Sequence, residues 1–358
     1  MIAEVERLEP TSGTAALAAA WAELEAAGAV RRTGGTAAWL DAWCRHYTPR
    51  GLLGVLVRDG GAVVAAGLLE ERSHRRWRFA GAPVTVHRGL VCRPGDEAAA
   101  WSALEGWLRR HRGRWSELEA EGVAPGLVAL PGTAATSQPA YGLDLPASLE
   151  ELLAGCSRSA RRELRKAQRR LEGAGARTAV VPDAERDTAI ARLVDLHTRR
   201  TAAQDRRHAG VDARLVALLQ EVARARGPEV RLIETRTADR VLAGAVVLQA
   251  GRAAEYYQTG MDPAAAALAP GYGVLLGALE DAMARGVRHV DLGPGEYLYK
   301  TRVGGVEAPH WRLIVPSRSA HGLALRGARR AVGRARQLRA LAATAAGGRA
   351  GGSSSSAR

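Results

Sequence analysis

Residues 270–300 read PGYGVLLGALEDAMARGVRHVDLGPGEYLYK, and their pattern predicts a helix that leads directly into a strand. The helix is indicated by apolar residues at helical spacing, which are Leu275, Leu276, Leu279 and Met283. Gly286 then ends the helix, and residues 287–293, VRHVDLG, predict the strand that follows. A helix that crosses directly into a strand is typical of an α/β fold.

The elements around this stretch occur twice along the chain. In the first half they are strands at 52–58, 62–71, from Trp77, at 117–121 and at 127–130, with a helix at about 98–110. In the second half they are strands at 230–236, 241–249 and 253–259, then the helix and strand of residues 270–293. Duplication explains this order, and coincidence between two ordinary α/β halves is the alternative. We expect a boundary between Gly142 and Ala154, with domains at 1–144 and 145–317 and a tail at 318–358.

The composition is that of a soluble globular protein. Apolar residues make up 47% of the 358 residues and charged residues 25%. Because the chain lacks both a long apolar run and a signal-peptide pattern at its start, we expect a cytoplasmic protein without a transmembrane segment. The three cysteines, Cys44, Cys92 and Cys156, lie far apart, so we expect them to be structural and expect no metal site.

The net charge of +14 is concentrated in two segments. Residues 157–172 hold seven Arg or Lys and two Glu, and residues 318–358 hold nine Arg and no acidic residue. The first segment predicts a helix that is either simply solvated or a grip on the phosphates of a nucleotide cofactor or of tRNA. The second predicts a loose basic helix with a flexible Gly/Ser end.

The start of the 270–300 stretch predicts an anion site. A strand that enters a glycine-containing loop and then a helix gathers free backbone N–H groups at the positive helix end. Gly271 and Gly273 lack a Cβ, so the backbone there can approach a pyrophosphate closely. We therefore select Tyr256, Gly271, Tyr272 and Gly273 as candidate cofactor-binding residues, with an ordinary loop as the alternative.

The end of the stretch carries the densest polar cluster of the chain. Acyl transfer to an amine needs a base for the amine proton and a donor or cation for the developing oxyanion. Asp291 or Glu296 is the candidate base, Tyr299 or Tyr257 the candidate proton donor, and Lys300 the candidate anion-stabilising cation. A surface turn held by an Asp–Lys pair is the alternative.

His197 lies on one face of a predicted helix with Ile190, Leu193 and Val194. A lone histidine on such a face is commonly a hydrogen-bonded core residue. The alternative is a substrate-binding role beside Arg200.

Residues 270–300, the basic run at 157–172 and the LHTRR around His197 resemble the second half of the CelD/BcsL-like acetyltransferases. This family lies within the Gcn5-related N-acetyltransferase (GNAT) superfamily, and the resemblance covers about residues 145–315. It implies two tandem GNAT-like domains of the α/β (α+β) class, each a mixed sheet flanked by helices, with the active cleft in the second. It also implies acetyl-CoA or another acyl-CoA as donor.

The same architecture is shared by Fem-type peptidyltransferases, which take amino acids from aminoacyl-tRNA. The chain departs from its family at two points: Val303 stands where the family has an aromatic residue, and the pyrophosphate loop is reduced to Gly271 and Gly273. Fem-type enzymes lack that loop as well, so a tRNA-dependent donor is a competing hypothesis.

Three functions follow from these patterns. The first is an acyltransferase that moves an acyl group from acyl-CoA to an amine or hydroxyl of a small-molecule or saccharide acceptor. The second is a Fem-like aminoacyl transferase that contacts tRNA through residues 157–172. The third is a non-enzymatic adaptor that binds polyanions or membrane through the tail. The acceptor and the oligomeric state are left open by the sequence.

Overall fold

The computed structural model describes residues 1–9, 14–204 and 211–319, together with residues 322 and 327. The predicted basic helix and Gly/Ser tail at 318–358 lie almost entirely outside the described residues. In the described part of the chain, no helix is long and apolar enough to span a membrane.

The chain contains both helices and strands, as the sequence predicts for an α/β protein, and each half has the predicted run of three strands followed by a helix and a further strand. The strands are β1 (Ile2–Leu8), β2 (Leu52–Asp59), β3 (Ala62–Arg72), β4 (Arg76–Phe79), β5 (Val91–Cys92), β6 (Glu117–Glu121), β7 (Ala134–Asp144), β8 (Arg177–Val180), β9 (Val230–Arg236), β10 (Val241–Ala250), β11 (Ala253–Met261), β12 (His289–Pro294) and β13 (Val306–Pro316). The α-helices are α1 (Ala18–Ala26), α2 (Ala37–Tyr47), α3 (Glu97–Arg110), α4 (Leu149–Gly155), α5 (Arg158–Gly173), α6 (Arg186–Ala202), α7 (Ala213–Arg226), α8 (Pro270–Ala284) and α9 (Leu298–Arg302).

The hairpins predicted from glycine and turn signals are present. Gly60 and Gly61 have φ of +54° and +92°, and they connect β2 to β3 through backbone conformations that a side chain disfavours. The prediction of a strand at 127–130 was wrong. A short 3-10 helix, Pro125–Leu127, reaches the first residue of that segment, and Pro125 suits the start of a helix because its ring fixes φ near the helical value.

One mixed sheet runs through the molecule. Its strand order is β1-β2-β3-β4-β6-β13-β7-β12-β11-β10-β9-β8, and β5 pairs with β3 at one side. The last described strand, β13, lies between β6 and β7 and pairs antiparallel with both. The division of the chain after residue 144 stays a prediction, and β7, which ends there, pairs with β12 and β13 from beyond it.

Helices cover both faces of this sheet, because alternate strand residues point to opposite faces and both sets are apolar. On one face α1, α2, α6 and α7 share a single core that joins the two halves. The opposite side of the strands carries a separate core in each half, with α3 in the first and α4, α5 and α8 in the second.

The two halves contain equivalent parallel strand pairs. In the first half β4 pairs with β6 from Arg76 and Glu117 to Arg78 and Glu119. In the second half β11 pairs with β12 in the same way, from Ala253 and His289 to Glu255 and Asp291. Beyond the last pair of each set the strands no longer pair with each other. We call the resulting gaps the N-terminal opening and the C-terminal opening.

Candidate functional site

The C-terminal opening holds a cavity of about 250 Å³, which we call the transfer cleft. Seven residues selected from the sequence line it, namely His197, Arg200, Tyr256, Tyr257, Asp291, Tyr299 and Lys300. Four others do not line it, namely Gly271, Tyr272, Gly273 and Glu296. Glu296 is exposed on the loop before α9. The structure therefore brings together the predicted tyrosines, the aspartate and the lysine, and it leaves Glu296 outside.

Four charged or polar side chains meet where the transfer cleft reaches the first half of the chain. Arg32 Nη2 lies 3.1 Å from Asp291 Oδ2, and Arg32 Nε lies 3.5 Å from Glu255 Oε1. His87 Nε2 lies 2.8 Å from the same Asp291 Oδ2. We call Arg32, His87, Glu255 and Asp291 the junction cluster. Two of its members come from each half, so neither half alone forms it.

The two carboxylates of the junction cluster differ in their environments. Burial acts to raise the pKa of Asp291, but the His87 hydrogen bond, the Arg32 charge and the Gly293 N–H outweigh it and hold that pKa well below its usual range. Burial raises the pKa of Glu255 to about 7, with Arg32 opposing and Asp291 adding to the rise. Glu255 is therefore able to exchange a proton near neutral pH, whereas Asp291 is a fixed anion. Of the two, Glu255 has the proton affinity of a general base.

His87 stays neutral near pH 7. Burial lowers its pKa, and the hydrogen bond to Asp291 only partly opposes that effect. The neutral ring donates its Nε2–H to Asp291, while Nδ1 faces Gly122, where a Cβ would come within 2.3 Å of it. Gly122 has φ of +74°, so its lack of a side chain serves both the backbone conformation and the approach of His87.

Residues 81–90, which we call the bridging segment, carry His87 to the C-terminal half. Arg88 fixes this segment in the N-terminal opening: its N–H donates to Glu121 O at 2.7 Å, and Glu121 N–H donates back to Arg88 O at 2.9 Å. The Arg88 guanidinium also pairs with Glu119 and Glu121. In addition, Tyr257 donates its hydroxyl hydrogen to Val84 O at 2.7 Å. The bridging segment is therefore bonded to the first half through Arg88 and to the second half through Val84.

Lys300 is a structural cation in this fold. Its side chain is 1% exposed, and Nζ donates to Gly293 O, Pro294 O and Gly295 O at 2.8, 2.8 and 3.0 Å. An ammonium has three N–H donors, so these carbonyls use all of them. The predicted role of Lys300 as a cation for a reacting oxyanion is therefore not supported by its geometry. Its observed role is to hold the loop that follows β12.

The predicted proton donors have different hydroxyl environments. The Tyr257 hydrogen is engaged by Val84 O, and burial raises the Tyr257 pKa well above its usual value. Burial raises the pKa of Tyr299 to about 12, with Tyr297 adding to the rise and Arg200 opposing it. Both hydroxyls stay protonated at neutral pH. Tyr299 lines the transfer cleft without the carbonyl contact that engages Tyr257.

The predicted glycine loop is part of a helix. Gly271 and Gly273 lie in the first turn of α8, which begins at Pro270. A Cβ on Gly273 would come within 2.7 Å of Leu171 Cδ1 and 2.9 Å of Thr235 Oγ1, so this glycine allows α8 to pack closely on its neighbours. Gly271 is different, because it is exposed and nothing lies within 4 Å of the space for its Cβ. Of the two glycines, Gly271 leaves the helix start accessible.

The α8 start lies next to α9, which also borders the transfer cleft. Arg302 of α9 donates to the Tyr272 hydroxyl, and its guanidinium lies 5.9 Å from the centre of the Tyr272 ring. Tyr299 of the same short helix lines the cleft. The Arg302 guanidinium therefore lies one helical turn from Tyr299 on α9 and contacts Tyr272 in the first turn of α8.

His197 has features of both roles that the sequence suggests, a hydrogen-bonded core residue and a substrate-binding residue. It is 7% exposed, and its Nδ1–H donates to Thr259 O at 2.8 Å, as expected of a hydrogen-bonded core residue. It also lines the transfer cleft beside Arg200. The bond to Thr259 ties α6 to β11 and so fixes the position of Arg200 on the cleft wall.

The basic run forms helix α5, with Ser157 as its N-cap through a 3.2 Å hydrogen bond from Ala160 N–H. Ala160, Leu164, Ala167 and Leu171 are buried on one face. The opposite face exposes Arg158, Arg162, Arg165, Lys166, Arg169 and Arg170. Among the described residues, no carboxylate lies within ion-pair distance of any of these six cations.

Three members of the junction cluster were not selected from the sequence. Glu255 lies in the predicted strand AAEYYQT. A carboxylate within such a strand is a signal for a functional residue, but analysis of the strand pattern alone does not select it. Arg32 and His87 lie 259 and 204 positions from Asp291, so local sequence patterns give no signal for them.

The ligand atoms of His87, Glu255 and Asp291 lie within 4.8 Å of one another, as they do in many metal sites. The Arg32 guanidinium already pairs with both carboxylates, so a positive charge occupies the position that a metal ion would take. The sequence predicts no metal site, and this cluster is the one group of potential ligands found among the described residues.

Comparison with known proteins identifies one domain in the second half of the chain. Residues 158–301 match the family model of the acetyltransferase (GNAT) domain. A comparison with curated proteins gave no match. The chain thus contains a GNAT-type acetyltransferase domain, and such a domain indicates an acyltransferase. The more specific resemblance to the CelD/BcsL-like family stays a prediction.

Several solved structures share the fold over most of the chain. FemX is 10% identical with a TM-score of 0.61, covering 87% of this chain and 97% of its own. A conserved protein of unknown function from Bacteroides thetaiotaomicron is 8% identical with a TM-score of 0.57, covering 88% and 100%. L-PGS from Bacillus licheniformis is 11% identical with a TM-score of 0.50, covering 75% and 85%. At these identities the likeness concerns the fold alone.

Proposed function

We propose that this chain transfers an acyl group from acyl-CoA to the amine of a small-molecule or saccharide acceptor. The observation that carries the proposal is the transfer cleft in the C-terminal opening, with Glu255 at its inner end. Backbone N–H groups on the edge of β11 beyond Glu255 have no β12 partner, so they are available to a ligand that lies in the gap. A polarised thioester carbonyl is a ligand that such donors stabilise.

The acceptor reaches the cleft from the side of the first half. A groove of about 600 Å³ runs between the halves and includes Arg32, His87 and Asp291 among its lining residues. It meets the transfer cleft at Asp291, which lines both. An amine held in this groove approaches the junction cluster from one side, and the thioester in the transfer cleft approaches it from the other. Both are thereby directed towards Glu255.

The transfer then needs one proton acceptor and one proton donor. The amine nitrogen attacks the thioester carbon, and Glu255 takes the proton that the nitrogen loses. The carbon–sulfur bond breaks, and Tyr299 gives its hydroxyl hydrogen to the departing thiolate. Asp291 remains ionised throughout, and it orients Arg32 and His87. Arg200 and Tyr256 border the acyl group.

The α8 start takes the pyrophosphate of CoA. The Gly271 N–H and the helix dipole there favour an anion, Gly271 leaves room for it, and Arg302 supplies a guanidinium in place of Lys300. Tyr272 lies between this position and Arg302. Tyr256 borders the pantetheine arm of CoA between the pyrophosphate position and the transfer cleft.

Calorimetric titration with acetyl-CoA and CoA tests the donor. We expect micromolar binding that falls at least about tenfold in Gly271→Glu, since a carboxylate at the helix start repels the pyrophosphate. Gly271→Ala is the matched control, because it adds a side chain to the same open space without charge, and it should bind as the parent does. Equal binding by Gly271→Glu and the parent would exclude the α8 start as the pyrophosphate site.

An aminoacyl-tRNA donor is the second candidate, favoured by the six cations on the exposed face of α5, which have no carboxylate partner within the described part of the chain. FemX shares the fold of this chain, and Fem-type enzymes are the class for which the sequence analysis names aminoacyl-tRNA as the donor. If about five phosphate contacts form, log affinity falls with log salt at a slope of roughly −3 to −5.

Filter binding of charged tRNA at several salt concentrations separates the two donors. Arg165→Gln and Arg169→Gln together should lower the salt slope by about 2 if α5 contacts phosphates. A salt-independent affinity, or a slope unchanged in the double variant, would exclude α5 as a tRNA contact. Acetyl-CoA binding should be the same in this variant and in the parent.

A further inference from the structure

The N-terminal opening also contains a cavity. Arg88 of the bridging segment fills the part between β4 and β6 that lies next to Glu119 and Glu121. A space of about 350 Å³ remains beside it, and we call this the N-terminal cavity. Small-molecule sites are typically about 300–1,000 Å³. The cavity therefore has the volume of a ligand site and lies at the position equivalent to the transfer cleft.

The inner wall of the N-terminal cavity is aromatic and apolar. Trp21, Phe79 and Trp101 line it and are 1%, 1% and 2% exposed. Trp21 donates its indole N–H to Gly35 O at 2.8 Å, so its polar atom is satisfied within the protein and the ring faces carry the contact. Such a wall favours an apolar or aromatic body over a polar one.

The charged groups of the cavity are predominantly cationic. Three guanidiniums, of Arg31, Arg32 and Arg88, line the cavity with two carboxylates, of Glu97 and Glu121. Arg88 pairs with Glu121, and Arg32 pairs with Glu255 and Asp291 outside the cavity. Arg31 Nη2 lies 3.8 Å from Glu97 Oε1, and the two side chains are 63% and 38% exposed. An exposed ion pair of this length contributes little free energy, so the Arg31 guanidinium is available to a ligand.

We propose that the N-terminal cavity is a second ligand site, which binds a small amphipathic carboxylate. Its apolar body lies against Trp21, Phe79 and Trp101, and its carboxylate pairs with Arg31 and Arg32. A carboxylate suits this lining because a guanidinium presents parallel N–H donors to its two oxygens. This site is separate from the transfer cleft and does not depend on the donor proposed above.

Arg32 connects the two sites. It lines the N-terminal cavity, and it also pairs with Glu255 and Asp291 of the junction cluster. A ligand carboxylate therefore competes with Glu255 for the same guanidinium. Coupling of this kind is reciprocal, so removal of the Glu255 charge strengthens the binding of the carboxylate ligand.

Calorimetric titration of the full chain with octanoate tests the site, with octylamine and 1-octanol as controls of equal chain length. We expect saturable binding of octanoate with one site per chain, and binding of octylamine and 1-octanol that is at least about fivefold weaker. Arg31→Gln should weaken octanoate binding about three- to tenfold. Arg110→Gln, an exposed arginine on α3 without a carboxylate partner among the described residues, is the matched control and should bind as the parent does.

Two further variants locate the site. Leu127→Trp enlarges a half-buried residue of the cavity wall and should abolish octanoate binding while acetyl-CoA binding is unchanged. Glu255→Gln should tighten octanoate binding about two- to fivefold, because Arg32 loses a competing partner. Equal binding of octanoate and octylamine, or unchanged binding in Arg31→Gln, would overturn the proposal. If Leu127→Trp does not fold, the exposed Arg31→Gln variant decides whether the cavity binds octanoate. If the protein does not bind acetyl-CoA, the octanoate result still tests this site, because the site is separate from the transfer cleft.

Discussion

The N-terminal and C-terminal openings have the same strand geometry and different contents. In the first half the last paired residues are Arg78 and Glu119, and the bridging segment closes part of the gap beside them. In the second half they are Glu255 and Asp291, and the gap beside them is the transfer cleft. A single backbone arrangement therefore surrounds a buried arginine with two glutamates in one half and the transfer cleft in the other.

The number of cationic partners accounts for the difference in reactivity. Glu119 pairs with Arg88 at 3.5 Å and with Arg312 at 3.0 Å. Among the described residues, Arg32 is the one cation within ion-pair distance of Glu255, at 3.5 Å, and it is shared with Asp291. A buried carboxylate with too little compensating charge holds its proton more tightly. Glu255 is thus poised for proton transfer, whereas Glu119 contributes to the structure.

Glu255→Gln gives the largest expected effect on this comparison. Loss of a general base lowers kcat by about 10²- to 10⁴-fold. The parent rate should rise with pH through about 7 as Glu255 loses its proton, and the variant should lack that rise. Steady-state assays between pH 5.5 and 8.5 measure both. Glu280→Gln, an exposed carboxylate on α8, is the control. A variant rate within threefold of the parent, on the order of 0.6 kcal/mol, would remove Glu255 as the base.

The Arg88→Ala variant tests the ion pairs that fill part of the N-terminal opening. Arg88 is 8% exposed, and its loss leaves Glu119 and Glu121 without their shared cation. We expect the free energy of unfolding to fall by about 2–4 kcal/mol. Urea denaturation measures this change. Arg312→Gln, in which an arginine 50% exposed is lost, should cost less than about 1 kcal/mol, and equal effects of the two variants would contradict the buried role of Arg88.

Lys300→Met tests what keeps the C-terminal opening in shape. Three carbonyls lose a charged donor, so the free energy of unfolding should fall by roughly 2–3 kcal/mol. Lys166→Met is a matched control, because Lys166 is exposed on α5, and it should change stability by less than about 0.5 kcal/mol. Thermal and urea unfolding of both variants give the answer. No loss in Lys300→Met would mean that the loop after β12 is held by other contacts.

The pH dependence of stability sharpens the contrast between Glu255 and an ordinary carboxylate. The folded-state pKa of Glu255 is raised from 4.5 to about 7, so the native state binds the proton more tightly than the unfolded chain. Its stabilising contribution is fully present below about pH 4.5 and is lost as pH rises through 7. Because Gln resembles the protonated form, Glu255→Gln should be more stable than the parent at pH 8, by on the order of 1–3 kcal/mol. Urea unfolding at pH 5 and pH 8 measures this, and a difference that is the same at both pH values would contradict the raised pKa.

Tyr257→Phe gives the smallest expected effect. It removes the hydrogen bond to Val84 O between the halves and should cost about 0.5–1.5 kcal/mol of stability. Its kcat should stay within about threefold of the parent, whereas Tyr299→Phe should lower kcat by at least about tenfold as a lost proton donor. Parallel rate and unfolding measurements on the two variants compare these roles. The reverse order of kcat values would assign the proton donation to Tyr257.

Strand and helix positions followed well from the sequence, since they depend on local patterns. Residues 230–236 and 117–121 are strands as predicted, and the helix expected at about 98–110 spans Glu97–Arg110. The segment predicted as a strand at 127–130 begins instead in a 3-10 helix that starts at Pro125, which its apolar pattern alone does not indicate. Gly271 and Gly273 were assigned to a loop, whereas they lie in the first turn of α8, where Gly273 packs closely against α5 and β9.

The sequence by itself determined the elements of two α/β halves, the basic face of α5 and the polar cluster after β12. These features depend on residues close together in the chain, where side-chain period and turn chemistry act directly. The tertiary structure alone decided which groups can react. It placed Arg32 and His87 beside Asp291, occupied all three donors of Lys300, and left Glu255 with little compensating charge. The physical reason is that burial and charge pairing set proton affinity, and both are fixed by residues from distant parts of the chain.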